Sequence, residues 1–337
     1  MSVGPVADLS QFASVFLVKP SSLGDIVHTL PAAHLIKQAY PHLKLRWLSN
    51  PEWMPLLEGN PDITEIIPFP RGEFRGINSL PKLLLWARGL NSKKRELPEI
   101  ALDFQGLMRS ALICFARGTD PIIGMSDARE GASLMYRQVV KVDAHAHAID
   151  RYLTLVQALG IELPPTDLLK FPLPEGTKPQ VSDLPENYIL LHPYSRGEGK
   201  SLSPEVLQTL CDCLHSHPVI VVGRSKEIPT LNGKHVRSLL NQTSLHELLW
   251  LTRHAKACVS VDSGPMHIAA ALQDKTLGIH TWSDPRKVGP YNSEAKVWKA
   301  GRIASRTEFT EEELQCTRSM DLSDTRRMAD YILGEWF

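Results

Sequence analysis

Twice along this chain, short apolar runs alternate with amphipathic stretches, and a proline-rich segment separates the two series. The first series predicts strands over 14–19, 44–48, 63–69, 99–104 and 137–142, with helices over 25–39 and 146–159 and further helical stretches between the strands. The second predicts strands over 188–192, 219–223, 257–262 and 276–280, with helices over 204–215, 245–254, 265–273 and 321–336. A strand followed by a helix returns to the sheet as a parallel crossover, so such a series builds a parallel sheet with helices on both faces. Between 161 and 185 the periodicity stops, and Pro164, Pro165, Pro172, Pro174, Pro179 and Pro185 accumulate. Proline has a fixed φ and no N–H to donate, so this stretch suits a connection better than an element. The expected organisation is α/β throughout: a Rossmann-like domain over 1–165, a linker over 166–186, a second Rossmann-like domain over 187–320 facing the first across a cleft, and a closing helix over 321–337 packing back on the first domain.

The charge balance removes one class of partner. Lys plus Arg and Asp plus Glu each number 37, and bulk binding to nucleic acid needs a basic excess to neutralise phosphates. One segment is locally basic: Arg71, Arg75, Lys82, Arg88, Lys93, Lys94 and Arg95 stand against Glu73, with Phe69, Phe74, Leu83, Leu84, Leu85 and Trp86 interleaved. It reads equally as a solvated amphipathic face or as a patch for an anionic glycolipid or membrane surface, with Phe74, Leu85 and Trp86 touching the interface. The five cysteines are odd in number and form no CxxC pair, as expected of reduced thiols in a cytoplasmic protein. The N-terminus lacks a basic region followed by a long apolar run, and no apolar stretch reaches the ~18 residues a spanning helix needs. His145 and His147 stand two apart, a spacing that on a helix points the rings apart and argues against a metal pair. No D-x-D motif is present for a metal-clamped diphosphate.

Four constellations carry chemistry. In KPSSLGDIVHTLPA, Lys19 ends a strand, Ser21, Ser22 and Gly24 turn, and Asp25 enters the first helical turn. Ligands of open α/β sheets bind beyond the carboxyl ends of strands; a lone aspartate there is also a good helix cap. In LDFQGLMRSAL, Asp103 ends a strand, Gln105 and Gly106 turn, and Arg109 follows as an exposed helical arginine; farther on comes SDAREGASLMYR with Arg129. In LHPYSRGEGKSLSPE, His192 ends the first strand of the second half, and Lys200 sits in a polar loop. In VSVDSGPMHIAAAL, the strand ends at Asp262, Ser263 and Gly264 turn into a small-residue helix, and His267 lies one turn in. The N–H groups at that helix start form an anion site, which Gly264 lets a phosphate approach. Neither GxGxxG nor a P-loop lysine is present, so dinucleotide and NTPase readings are weak.

These four motifs, in this order, resemble the glycosyltransferase family that contains the lipopolysaccharide heptosyltransferases, and most of all its heptosyltransferase I members. The resemblance spans most of the chain. It implies the glycosyltransferase B architecture, with the acceptor on the N-terminal domain and the nucleotide-sugar on the C-terminal one. It implies inverting transfer of heptose from ADP-L-glycero-D-manno-heptose to the Kdo of a lipid A–Kdo acceptor, without a cofactor, at the inner face of the inner membrane. Asp25 would be the catalytic base. Lys200, Asp262, Ser263, Gly264 and His267 would hold the donor. Ser22, Gly24, Arg71, Arg75, Gln105 and Arg129 would meet the anionic acceptor, with Trp282, Asp284 and Arg286 as further candidates near the nucleotide. The chain departs from the pattern where Leu202 replaces an aromatic, Ser263 replaces threonine, and Pro265 and Met266 replace Leu-Ser. Pro265 removes an N–H from the donor loop. Another nucleotide-sugar or acceptor therefore stays open, as does a nucleotide-sugar-binding protein without turnover.

Overall fold

A computed structural model describes residues 5–90 and 98–337. The chain divides into two compact units, Met1–Pro174 and Glu175–Phe337. The division falls inside the proline-rich stretch.

The first unit is one parallel sheet built from β1 (Ser14–Val18), β2 (Lys44–Ser49), β3 (Ile63–Pro68), β4 (Glu99–Asp103), β5 (Ile122–Met125) and β6 (Gln138–Val140), in the order β3-β2-β1-β4-β5-β6. This is the doubly wound order, and it reverses between β1 and β4. All five residues of β1 and of β4 are buried, as central strands covered on both faces require. The helices are α1 (Leu23–Ala39), α2 (Leu80–Gly89), α3 (Met108–Arg117) and α4 (Ala148–Ala158). Helix α1 packs against α4, and α2 against α3. At the amino end of the sheet, Arg117 Nε lies 2.8 Å from Glu99 Oε2, both side chains almost fully buried. Arg46 and Ser14 also reach the Glu99 carboxylate, which gives that buried charge the partners it needs.

The second unit repeats the plan. Strands β7 (Ile189–His192), β8 (Val219–Val221), β9 (Val236–Ser238), β10 (Ala257–Val261), β11 (Thr276–Ile279), β12 (Lys296–Lys299) and β13 (Arg302–Ala304) lie in the order β13-β12-β11-β10-β7-β8-β9, reversing between β7 and β10. Only β13 is antiparallel; it returns from β12 through Ala300 and Gly301, both at positive φ, in a two-residue hairpin turn. The helices are α5 (Pro204–Cys213), α6 (Leu245–His254), α7 (Gly264–Leu272), α8 (Pro285–Val288), α9 (Glu311–Gln315) and α10 (Leu322–Trp336). Ser203 caps α5 ahead of Pro204, and Ser244 with Glu247 forms a capping box on α6.

Helix α10 packs on α5, where Met328, Ala329 and Ile332 join the second unit's own core beside Leu207, Leu210 and Leu214. Strands β5, β9, β12 and β13, each three or four residues long, were not expected from the sequence. No helix among the described residues is long and apolar enough to cross a membrane.

Candidate functional site

The switch point of the first sheet carries a carboxylate held from two sides. Ser22 is the N-cap of α1 and Asp25 its third residue, so the pair closes a capping box. Asp25 Oδ2 accepts from Ser22 N at 3.0 Å and Ser22 Oγ at 2.7 Å. The other oxygen, Oδ1, lies 3.5 Å from Lys19 Nζ and 3.3 Å from the Tyr152 hydroxyl. Lys19 leaves the end of β1, buried, and donates to the carbonyl of Phe104 at 2.9 Å. Its ammonium sits 4.9 Å from the centre of the Tyr152 ring. Burial works against the charge on Lys19, but neighbouring Tyr152 and Asp25 outweigh it and hold the ammonium above its ordinary pKa. Burial also pushes the Tyr152 phenol up, so it stays a neutral donor. The Lys19 side chain is 5% exposed and that of Asp25 38%: the cation is sunk and the carboxylate reaches solvent. Asp25 is therefore both the helix cap and an accessible carboxylate. Gly24 is buried in the first turn of α1, while Ser22 is exposed.

Beside it, Asp103 organises the turn after β4. The carboxylate accepts from Gln105 N, Gly106 N, Ser110 Oγ and Tyr136 Oη at 3.0, 3.1, 2.7 and 2.8 Å. Burial raises its pKa against those donors. Tyr136 reaches it by crossing β5 at Gly124, where any Cβ would collide with the ring. Arg129 N donates to Gly106 O at 2.8 Å, pinning the 126–131 loop to this turn, with the Arg129 side chain exposed. The Gln105 amide oxygen is buried without a hydrogen-bond partner.

A groove of about 750 Å³ opens in the same unit, lined by Asn50, Glu52, Phe69, Arg71, Arg75 and Arg109 among others. Arg71 and Arg75 thus meet in one place, joined by Arg109 of the DFQGLMRS motif. The interleaved aromatics behave differently from expectation. Phe74 is buried and stacks on Phe69 at 5.8 Å, and Trp86 packs against both rings at 5.4 and 5.5 Å. They form core, because the outward face of α2 is Lys82, Leu85 and Arg88, three residues apart. Leu85 alone of the three named apolar residues is exposed. Lys93, Lys94 and Arg95 lie outside the described residues.

The second sheet's switch point carries a lysine held by a buried carboxylate. Lys200 Nζ lies 2.5 Å from Asp262 Oδ2, with the two side chains 16% and 6% exposed. The ammonium also stands 4.3 Å from the centre of the Trp282 ring, a cation–π arrangement. The 193–201 loop is tied down by Trp282 Nε1 to Glu198 O at 3.1 Å, Thr281 Oγ1 to Gly199 O at 3.0 Å and Ser195 Oγ to Asp262 O at 3.3 Å. Burial works to raise the Asp262 carboxyl; His280, Lys200 and the Ser283 hydroxyl outweigh it and hold it below the usual carboxylate range. Asp262, expected on the donor, thus faces Lys200. His192 and His280 are both pushed down by burial to about 4. Ser263 stands at the N-cap of α7 but makes no side-chain cap bond; its hydroxyl lies 3.3 Å from His192 Nδ1. The start of α7 thus keeps its positive end free of that cap, next to Gly264 and the N–H-less Pro265. Met266 is wholly buried, seated where β11 has Gly278, and His267 is buried one turn in. Asp284 and Arg286 pair with each other at the cap of α8.

His147 precedes α4 and caps it, its Nδ1 accepting from Ile149 N at 3.1 Å, so His145 and His147 do not share a helix. Among the described residues no group of three His, Cys, Asp or Glu side chains could hold a metal. The sequence missed Tyr152 because its link to Asp25 spans 127 positions, and no local pattern carries that.

The profile of glycosyltransferase family 9 (heptosyltransferase) matches residues 92–317. The lipopolysaccharide heptosyltransferase 1 of Pseudomonas aeruginosa is 27% identical over 298 residues, covering 82% of this chain and 81% of that one. Among solved structures, the glycosyl transferase family 9 protein from Veillonella parvula superposes with a TM-score of 0.76 at 17% identity, over 96% of this chain and 98% of that one. The E. coli heptosyltransferase WaaC with ADP-2-deoxy-2-fluoro heptose gives 0.71 at 22% identity, over 94% and 99%. These likenesses show the fold.

Proposed function

This chain belongs to glycosyltransferase family 9, the heptosyltransferases, and from that premise we propose that it moves L-glycero-D-manno-heptose from the ADP-sugar to the Kdo of a lipid A–Kdo acceptor in lipopolysaccharide core assembly. One observation carries the assignment of roles: the first unit presents a carboxylate backed by a buried ammonium, and the second an ammonium backed by a buried carboxylate. The acceptor hydroxyl oxygen attacks the anomeric carbon as Asp25 takes its proton. The bond from that carbon to the phosphate oxygen breaks, ADP leaves with the electron pair, and the configuration inverts. Lys200 turns from Asp262 to the diphosphate, and the start of α7 at Ser263 and Gly264 takes part of the developing charge. His267 supports that helix end. Arg71, Arg75 and Arg109 receive the acceptor's carboxylate or phosphate groups, for which a guanidinium fork is suited; Ser22, Gln105 and Arg129 border the same end of the sheet.

The acceptor's lipid brings the enzyme to the cytoplasmic face of the inner membrane. Leu85 on α2, Phe115 on α3 and Leu134 in the turn over 132–135 are 71%, 61% and 86% exposed. These elements pack together in one unit, with Arg88 and Arg137 exposed among them. Apolar residues beside cations suit an anionic bilayer surface.

The test is transfer from ADP-heptose to purified Kdo–lipid A, read by mass spectrometry as the gain of one heptose. Transfer only to an acceptor already carrying a heptose would reassign the chain to the second addition, and turnover only with another nucleotide-sugar would overturn the donor.

A further inference from the structure

We propose that Tyr152 is a positioning residue for the base: its hydroxyl, with Lys19, fixes the plane of the Asp25 carboxylate and keeps it ionised. The inference rests on the reading of Asp25 as the base. A capping box by itself engages one oxygen, and here Ser22 N and Oγ both reach Oδ2. Such a carboxylate can still rock about its last torsion, which is broad. Tyr152 and Lys19 come from α4 and β1, on the other side, and reach Oδ1. With both oxygens tethered, the half-exposed edge keeps one direction toward an incoming hydroxyl, which is the pre-organisation that proton abstraction rewards.

The tyrosine is itself firmly placed. It is 3% exposed on the buried face of α4, its ring meets Phe104 edge-on at 5.5 Å, and its body packs against the Lys19 ammonium. Phe104 in turn supplies the carbonyl that accepts a hydrogen bond from the Lys19 ammonium. Tyrosine, lysine and the strand end therefore brace one another, and helix packing between α1 and α4 sets the geometry of the base. A phenylalanine would fill the same space but lose the hydroxyl, which lies 3.3 Å from Asp25 Oδ1 and also meets Lys19. Other titratable groups stand nearby, and Arg151 and Asp103 act through space on Tyr152 and Lys19 respectively. Arg151 pairs with Asp127, Asp103 holds the turn after β4, and His28 and His147 face each other edge-on at 5.2 Å.

A donor to the ionised form lowers a carboxyl's pKa, and its loss raises it. A base must be ionised to work, so the acid limb of the kcat profile should move to higher pH in Tyr152→Phe, by about one to two units for one hydrogen bond to a charged group. The KM values for donor and acceptor should stay within about twofold, and kcat at high pH should recover most of the wild-type value. Site-specific replacement of Tyr152 by a fluorinated tyrosine, a stronger donor of nearly the same shape, should move the limb the other way. An unmoved limb in both variants, or a loss of kcat equal at every pH, would overturn the role of Tyr152. Asp25→Asn measured alongside separates the two readings: full activity there removes the base itself, whereas an inactive Asp25→Asn with an unmoved Tyr152→Phe limb removes only the inference.

Discussion

The two units share a sheet order and a switch point, yet their polar clusters are inverted copies. In the first, the strand end supplies the buried partner, Lys19, and the helix start presents Asp25 to solvent. In the second, the strand end supplies the buried partner, Asp262, and a loop presents Lys200. A doubly wound sheet offers the same place twice, and the sign of the group sunk at the strand end decides what that place can do. A tethered carboxylate can accept a proton; a tethered ammonium can balance a diphosphate. The tethers also differ in stiffness. Asp25 is held on both oxygens by an N-cap and a helix-borne phenol, whereas Lys200 lies in a loop, held by one carboxylate and the face of Trp282.

The largest effect should come from abolishing the first cluster's charge. Asp25→Asn keeps shape and removes basicity, so turnover should fall by roughly 10² to 10⁴ while calorimetric ADP affinity stays unchanged. Near-wild-type turnover would break the comparison at its first term.

Acid should next set the units apart. His192 and His280, both in the second unit, are held neutral by burial down to about 4, so the unfolded chain takes up protons below the ordinary 6.5 while the folded one does not. Stability should therefore fall as pH drops from 6.5 toward 4, by up to about 3 kcal/mol for each histidine. Asp103 in the first unit works in the opposite sense, its raised pKa favouring the folded state as acid is added. Hydrogen exchange read by mass spectrometry at pH 7 and 4.5 should show β7 and β11 losing protection before β1 and β4; loss in the reverse order would contradict the assignment.

Lys200→Ala should weaken ADP binding by roughly 1.5–3 kcal/mol, the range for a hydrogen bond to a charged group, and leave acceptor affinity alone. Unchanged ADP affinity would mean that Lys200 stays with Asp262 throughout.

The smallest effects belong to the groove. Arg71→Ala and Arg75→Ala should each cost about 1 kcal/mol of glycolipid binding, screened by salt, without changing ADP affinity. Equal losses for acceptor and ADP would show that the basic segment does not divide the substrates as the two clusters do.

The sequence alone determined the two α/β series, the break between them and most members of both clusters. Wholly buried strands such as β1, β4 and β10 leave largely apolar runs, and strand-to-helix turns concentrate polar residues where a sheet binds ligands. The Ser263–Gly264 turn was legible because it follows such an apolar run, and Asp25 and Lys200 because their motifs resemble those of the family. Tertiary structure decided the rest. It sent Phe74 and Trp86 into the core and left Leu134 and Phe115 outside, and it gathered Arg109 with Arg71 and Arg75. It also set α10 on α5 and Tyr152 on Asp25, and brought Asp262 to Lys200 across 62 positions. The physical reason is range. Periodicity and capping act over a few neighbouring residues, whereas which buried charge meets which partner is fixed only when packed elements bring distant positions together, since an unpaired buried charge is too costly to leave.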